Sequence, residues 1–294
     1  MQRHMSPNGS GTSSTAEAGI RRITAIDSIT AKGSHNLNED SMVANTDTGI
    51  FAVFDGASGL NPFTDAEGRT GAYLASNIAR EVFGAGGESL LGLTATANKR
   101  IRTAMAYQKI GTSDKINRWA TSVAAVRVHS DSFDWVWVSD SIILVVYDDG
   151  SYKALVDDYE HDQETLSLLR ELTGKGDPDP KAGIRDITLY QRRQMNITYG
   201  FVAGEEIPPQ YLHTGTESLK GVRHILLFTD GMLVPKEDPR AKDDFDAVVS
   251  EYLKGGLKGW LAYVRSLEDN DPGLKRYARF HPHDDATAVA VTFE

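Results

Sequence analysis

Cysteine is absent from all 294 residues. That absence excludes disulfides, thiolate metal sites and a cysteine nucleophile. Long apolar runs are missing as well. No stretch approaches the roughly 18 residues that a membrane-spanning helix requires, so no membrane partner is expected. The N-terminus lacks the apolar core of a secretory signal, and a cytoplasmic location is the expectation. Basic charge is in deficit, with 31 Lys and Arg against 41 Asp and Glu, a net charge of −10. Such a balance argues against a broad nucleic-acid surface, and no nucleic-acid partner is expected.

What is present suffices for a substantial core: 40% of the residues are hydrophobic and 24% charged, as in an ordinary globular chain. Residues 1–19 are rich in Ser, Gly and Thr without periodicity and read as a disordered tail, and 20–294 read as the folded part. Strands are expected at 23–26 and 49–54, then helices over 65–83 and 88–108, where apolar residues recur at helical spacing. Strand-like segments follow at 121–129, 133–138, 142–147 and 151–156, with Asp148-Asp149-Gly150 as a hairpin turn. Their spacing predicts an antiparallel meander. A short helix is expected at 163–172, and the polar, irregular stretch 157–220 reads as a flap inserted over the core. A strand at 225–229, helices at 245–253 and 257–267 and a last strand at 286–293 complete an α+β order.

Two apolar runs end in Asp-Gly: Ile50–Phe54 before Asp55-Gly56, and Ile225–Thr229 before Asp230-Gly231. A buried strand that stops at a carboxylate presents that charge at a fixed place on the rim of a core. The glycine behind it allows a sharp turn. Glu39-Asp40 and Asp284-Asp285 are further acidic pairs. Mg²⁺ and Mn²⁺ favour oxygen ligands, and two such ions can share a carboxylate and a water. Asp40, Asp55, Gly56, Asp230 and Asp284 fit that need.

The order Asn38-Glu39-Asp40, Phe54-Asp55-Gly56, Thr121-Ser122, Ser139-Asp140-Ser141, Thr229-Asp230-Gly231 and Asp284-Asp285-Ala286-Thr287 closely resembles the PPM/PP2C family of metal-dependent Ser/Thr protein phosphatases, in its bacterial and divergent form. The resemblance runs from about Ile20 to Glu294. It implies two packed antiparallel β-sheets flanked by helices, an α-β-β-α sandwich. It implies hydrolysis of phosphoserine and phosphothreonine in protein substrates by a water activated between two Mn²⁺ or Mg²⁺ ions, and a partner Ser/Thr kinase. By motif match, Asp55 would bridge the ions, the Gly56 carbonyl would ligate one, and Asp230 and Asp284 would hold the other side. Glu39 and Asp40 would contribute directly or through water, and Asp140 would help hold a weaker third ion. Asp55 and Asp40 are therefore the expected catalytic carboxylates.

Three positions depart from the family pattern. Bacterial members often carry Arg-x-x-Asn-Glu-Asp, with the Arg on substrate phosphate, and here that position is His35. Histidine lacks the bidentate fork of arginine, so His35 is expected to bind phosphate more weakly. The usual Gly-Asp-Ser-Arg appears as Ser139-Asp140-Ser141-Ile142. The usual Asp-Gly-His-Gly-Gly appears as Asp55-Gly56-Ala57-Ser58-Gly59, without its candidate general acid. Arg192 and Arg193 are candidates to reach phosphate in place of the missing basic residues. His281 and His283 are expected near the site or exposed rather than as ligands, and Trp135 and Trp137 as packing. Two other readings compete with hydrolysis of phosphoproteins. One is a catalytically weak module that binds a phosphoprotein or kinase, and the other is hydrolysis of a small phosphate ester.

Overall fold

The computed structural model describes residues 21–111, 113, 115–156 and 161–294. The tail assigned to 1–19 lies outside the described residues. The first strands are β1 (Ile23–Ala31), β2 (Ser41–Asn45) and β3 (Ile50–Phe54). All five residues of β3 are buried because the strand serves two cores at once. Phe51 and Val53 join one core, and Ile50, Ala52 and Phe54 join the other. This is the period of two expected of a pleated strand with both faces covered. A two-residue strand β4 (Gly56–Ala57) follows Asp55.

Helix α1 (Gly71–Ala85) starts later than the helix predicted over 65–83. Asp65 explains the difference. Its carboxylate accepts from the amides of Glu67 and Arg69 and from Arg69 Nε at 2.7–3.1 Å, which closes a turn in place of a helical one. Thr70 then caps α1, its hydroxyl accepting from the Tyr73 amide at 3.2 Å. Helix α2 (Leu90–Tyr107) is capped in the same way by Ser89 and buries Leu90, Leu93, Ala97, Ile101 and Met105 on one face.

Next come β5 (Ala120–Thr121), β6 (Val123–Val128), β7 (Ser132–Val138), β8 (Ile142–Tyr147) and β9 (Tyr152–Ala154). The predicted meander is a pair of hairpins in different sheets. β6 pairs with β7 and β8 with β9, but β7 and β8 do not share a sheet. The chain crosses from one sheet to the other at Ser139-Asp140-Ser141. Local spacing reveals hairpins but not which sheet each joins.

The segment after β9 holds α3 (Gln163–Gly174), α4 (Pro180–Gly183) and α5 (Arg185–Gln194), then β10 (His213–Ser218). β10 pairs along β7 from His213↔Trp137 to Ser218↔Ser132, so the end of the predicted flap is part of a sheet. Its sequence His-Thr-Gly-Thr-Glu-Ser lies mostly exposed at the sheet edge and carries no apolar alternation to betray it. β11 (Val222–Phe228) precedes α6 (Phe245–Asp269), and β12 (Ala286–Phe293) ends the fold. The two helices predicted at 245–253 and 257–267 form one element bent at Gly256, whose φ of 61° leaves the helical region.

The sheets have the orders β1-β12-β11-β8-β9 and β10-β7-β6-β3-β2. One core joins the two sheets and α6, including Phe51, Trp137, Phe228 and Trp260. The other lies between the second sheet and α1 with α2. The layers are helix, sheet, sheet, helix. Among the described residues no helix is long and apolar enough to cross a membrane.

Candidate active site

The acidic residues sit at the ends of elements from both sheets. Asp55 follows β3, Asp230 follows β11, Asp284 precedes β12, and Asp140 lies where the chain crosses between sheets. Glu39 and Asp40 end the β1–β2 connection. A pocket of about 760 Å³ opens there, lined by Glu39, Asp55, Asp140, Asp230 and Asp284 among others. Asp40 is buried at 7% exposure and does not line the pocket. The Thr229 hydroxyl donates to its Oδ2 at 2.7 Å.

Short polar links fix each strand end. The Asp55 amide donates to Ser122 Oγ at 3.0 Å, the Ser122 amide donates back to the Asp55 carbonyl at 2.9 Å, and Ser122 Oγ meets Ser141 Oγ at 2.5 Å. The Thr121-Ser122 and Ser139-Asp140-Ser141 motifs therefore meet, and through them the sheet crossing is tied to Asp55. Asp285 clamps the β1–β2 loop. Its two carboxylate oxygens accept from the amides of Gly33 and Glu39, both at 2.6 Å. Arg265 Nη2 donates to the Asp284 carbonyl at 2.5 Å.

The glycines of the two Asp-Gly pairs serve a different purpose from the one expected. Neither Gly56 nor Gly231 has positive φ. A Cβ on Gly231 would lie 1.9 Å from the Asp285 carbonyl oxygen, and one on Gly56 would lie 2.5 Å from the Ala72 carbonyl oxygen and 2.6 Å from that of Glu39. Both are glycine because backbones converge on the site, not because the chain turns left-handed.

Withdrawal from bulk water pushes the carboxyl groups of Asp40, Asp55 and Asp230 well above the ordinary range, and those of Glu39, Asp140 and Asp284 upward. Mutual repulsion adds to it. Asp55 feels Asp40, Asp230, Asp140 and Asp284, and Asp230 feels Asp284 and Asp140 while sharing a hydrogen bond with Asp55. Asp230 is exposed, but to the pocket, whose walls displace much of its bulk-water shell. Asp140 Oδ1 is buried without a partner at hydrogen-bond geometry. Among the described residues no three His, Asp or Glu side chains are arranged to hold a metal ion outright. The donors gather around one pocket without closing into a coordination sphere.

The basic residues are placed unequally. His35 lines the pocket, but its Nε2 lies 3.0 Å from His281 Nε2 in an edge-on pair of rings, and its Nδ1 is 3.7 Å from Glu39. Burial first, then His35, pushes His281 down to about 4, so it is uncharged at neutral pH. Arg192 also lines the pocket. Its Nη2 donates to the carbonyls of Ser58 at 2.9 Å and Arg118 at 2.7 Å, which braces the turn after Asp55, and its Nε is buried without a partner. Arg193 is exposed and does not line the pocket. Adjacent positions on a helix diverge by about 100°, so only one of the two can face inward. Ser58 Oγ accepts from the Ala72 amide at 3.1 Å. His283 lies 2.9 Å from Asp269, and Trp137 is in the core.

Several wall residues carry no sequence signal of a site. His161 lies 3.9 Å from Asp140 Oδ2 and stacks on Tyr199 with ring centroids 4.3 Å apart. Asp162, Tyr199, Phe201 and Phe280 also line the pocket. All but Phe280 come from the polar segment 157–220, where no periodicity or motif marks them.

Acidic strand ends from both sheets of the sandwich thus meet around one pocket. The family model for protein phosphatase 2C matches residues 31–262, and the chain belongs to that family. Among solved structures, it is similar to the serine/threonine phosphatase Stp1 from Staphylococcus aureus, with 17% identity over 100% of this chain and 99% of that one, TM-score 0.56. The serine/threonine phosphatase PstP/Ppp of Mycobacterium tuberculosis shares 16% identity over 93% of this chain and 98% of that one, TM-score 0.55. The catalytic domain of PstP in complex with two manganese ions matches at 16% identity over the same shares, 93% and 98%, TM-score 0.54. At these identities the likeness is one of fold. No curated protein sequence matches the chain.

Proposed function

We propose that the chain is a metal-dependent protein phosphatase that hydrolyses phosphoserine and phosphothreonine monoesters. The observation that carries this reading is the convergence of Glu39, Asp55, Asp140, Asp230 and Asp284 on one pocket of a PP2C fold, with Asp40 buried behind them. Unpaired, these carboxylates repel and are poorly solvated. Their donor set is all oxygen, which suits hard divalent cations such as Mg²⁺ or Mn²⁺, and the unpartnered Asp140 Oδ1 is an acceptor that lacks its donor.

In this reading Asp55, Asp230 and Asp284 would hold two ions, with the Gly56 carbonyl as a further ligand, Glu39 and Asp40 contributing directly or through water, and Asp140 helping to hold a third. Bound divalent ions supply Lewis acidity toward phosphoryl oxygens and a water of lowered pKa. The remaining work falls to the protein. Ser122 and Ser141 fix Asp55, Thr229 fixes Asp40, and the Asp285 clamp sets the loop that carries His35 and Glu39. Arg192 places a positive charge beside the pocket, and His35 offers an imidazole hydrogen bond to phosphate. The Arg192 guanidinium already donates to backbone carbonyls, so its contribution to phosphate is chiefly charge. The phosphate removed is one that a Ser/Thr kinase installs, and such a kinase is the expected counterpart.

The test is phosphate release from a phosphothreonine peptide, with metal-stripped protein and then with Mn²⁺ or Mg²⁺, beside Asp55→Asn. Metal-dependent release that the variant abolishes is the expected result. Folded, metal-loaded protein that binds the peptide without releasing phosphate would instead make the chain a phosphoprotein-binding module.

A further inference from the structure

A groove of about 200 Å³ opens beside the acidic pocket and shares Asp140, His161, Asp162, Asp230, Phe280, His281 and Asp284 with it. Beyond those shared residues its walls are largely apolar. Leu166 comes from α3, Leu233, Val234 and Pro235 follow the turn that begins at Asp230, and Pro239 completes the surface beside the shared Phe280.

Outside the shared residues, the charged side chains in these walls are held in ion pairs. Lys236 lies 3.1 Å from Asp243, Glu268 lies 2.7 Å from Arg265, and Arg279 lies 3.4 Å from Asp271. Away from the shared carboxylates, what the groove offers an incoming molecule is therefore chiefly apolar surface. Leu166 and Phe280 are partly exposed, and among the described residues neither joins a hydrophobic core.

We propose that this groove seats an apolar side chain next to the phosphorylated residue, so that the preferred substrates are phosphopeptides with a Leu-, Ile- or Phe-like neighbour. The inference rests on the phosphatase reading above. Two features select this occupant. The volume suits one large side chain and is too small for a folded surface. The shared walls make the groove continuous with the acidic pocket, so a side chain adjacent in sequence to the phosphorylated residue is the part of an extended substrate that would meet it, at 3.3–3.6 Å of chain per residue at most. A small phosphate ester fills the acidic pocket and leaves the groove empty, so discrimination appears only with peptides.

The experiment compares three phosphothreonine peptides that differ only in the residues on both sides of phosphothreonine: Leu, Ala or Asp. p-Nitrophenyl phosphate serves as the small ester. Wild type, Leu166→Asp and Leu166→Ala are assayed with Mn²⁺, and fluorescein-labelled versions of the peptides are titrated by anisotropy. The Leu peptide is expected to exceed the Asp peptide by about tenfold in kcat/KM, the scale of one apolar side chain in a pocket. Both variants are expected to lose most of that advantage and to turn over the small ester as wild type does, which also reports their folding. Equal kcat/KM for the three peptides, with the small ester hydrolysed, overturns the groove and leaves the phosphatase standing. A preference that survives both variants overturns it as well. If no substrate is hydrolysed, the phosphatase reading fails and anisotropy decides: tighter binding of the Leu peptide, lost in Leu166→Asp, sustains the groove, and equal binding overturns it.

Discussion

Ser139 holds a backbone conformation that an L-residue adopts at a cost, with φ of 77°. The family pattern carries glycine at this position. The structure gives the reason: the chain must leave β7 in one sheet and enter β8 in the other while delivering Asp140 to the pocket. Ser139→Gly relieves the left-handed penalty and partly offsets it by loosening the unfolded chain, for a net gain of about 0.5 kcal/mol. The measurement is the urea midpoint, which is expected to rise with an unchanged slope. His35 is the other informative substitution. Its ring is half-committed to His281, so His35→Arg is expected to lower KM for a phosphopeptide several-fold by restoring a bidentate donor. A KM unchanged or raised would remove His35 from phosphate binding. Arg192 and Arg193 show what a side chain's identity leaves open. The sequence marked both as candidates, and helical geometry let one line the pocket and left the other exposed.

Connections, more than strands, hold the site. The β1–β2 loop depends on Asp285, which accepts two amides at 2.6 Å. Asp285→Ala strips both amides of their acceptor in a buried place and is expected to cost about 2–3 kcal/mol; thermal or urea unfolding measures it. The loop between α6 and β12 depends on Asp271, whose carboxylate accepts from the amides of Lys275, Arg276 and Tyr277 at 2.9–3.2 Å. Burial alone would raise this carboxyl, but the amides and Arg279 hold it below the ordinary range. Its folded pKa thus lies under the unfolded value of about 3.9. The stabilisation is complete above the unfolded value and is lost as pH falls through the folded one. Asp271→Asn is therefore expected to lower stability by about 2 kcal/mol near neutral pH, with the difference closing in strong acid. An offset that stayed constant down to pH 2 would contradict this account. These clamps were invisible in the sequence, where Asp284-Asp285 reads as a pair and Asp271 as one more acidic residue. The same holds for β10, whose polar edge sequence lacks the near-continuous apolar run that makes β3, β8 and β12 legible.

At the scale of the whole molecule, the carboxylate cluster sets folding against proposed function. Without cations, desolvation and repulsion among Asp40, Asp55, Asp140, Asp230 and Asp284 work against the fold. A cation that binds only the folded state stabilises it by mass action, about 2.7 kcal/mol at a hundredfold excess over Kd. Calorimetry in a chelator and then with Mn²⁺ is expected to show an upward shift in Tm. Asp55→Asn removes one charge from the cluster, so in chelator its Tm is expected to lie above that of wild type and its response to Mn²⁺ to shrink. The same single change is expected to raise stability and abolish turnover, an exchange that ordinary core residues do not show.

The sequence by itself determined the α+β order and the acidic residues at strand ends, from apolar runs that stop at Asp-Gly and from helical spacing. Six short motifs in a fixed order carried the resemblance to the family, and through it the helix-sheet-sheet-helix class. Only the tertiary structure decided which sheet each hairpin joins, which arginine lines the pocket, why the glycines after Asp55 and Asp230 are glycines, and that His161, His281 and an apolar groove border the site. Each of these depends on contacts between segments far apart in the chain, and residue spacing carries no information about how such segments meet.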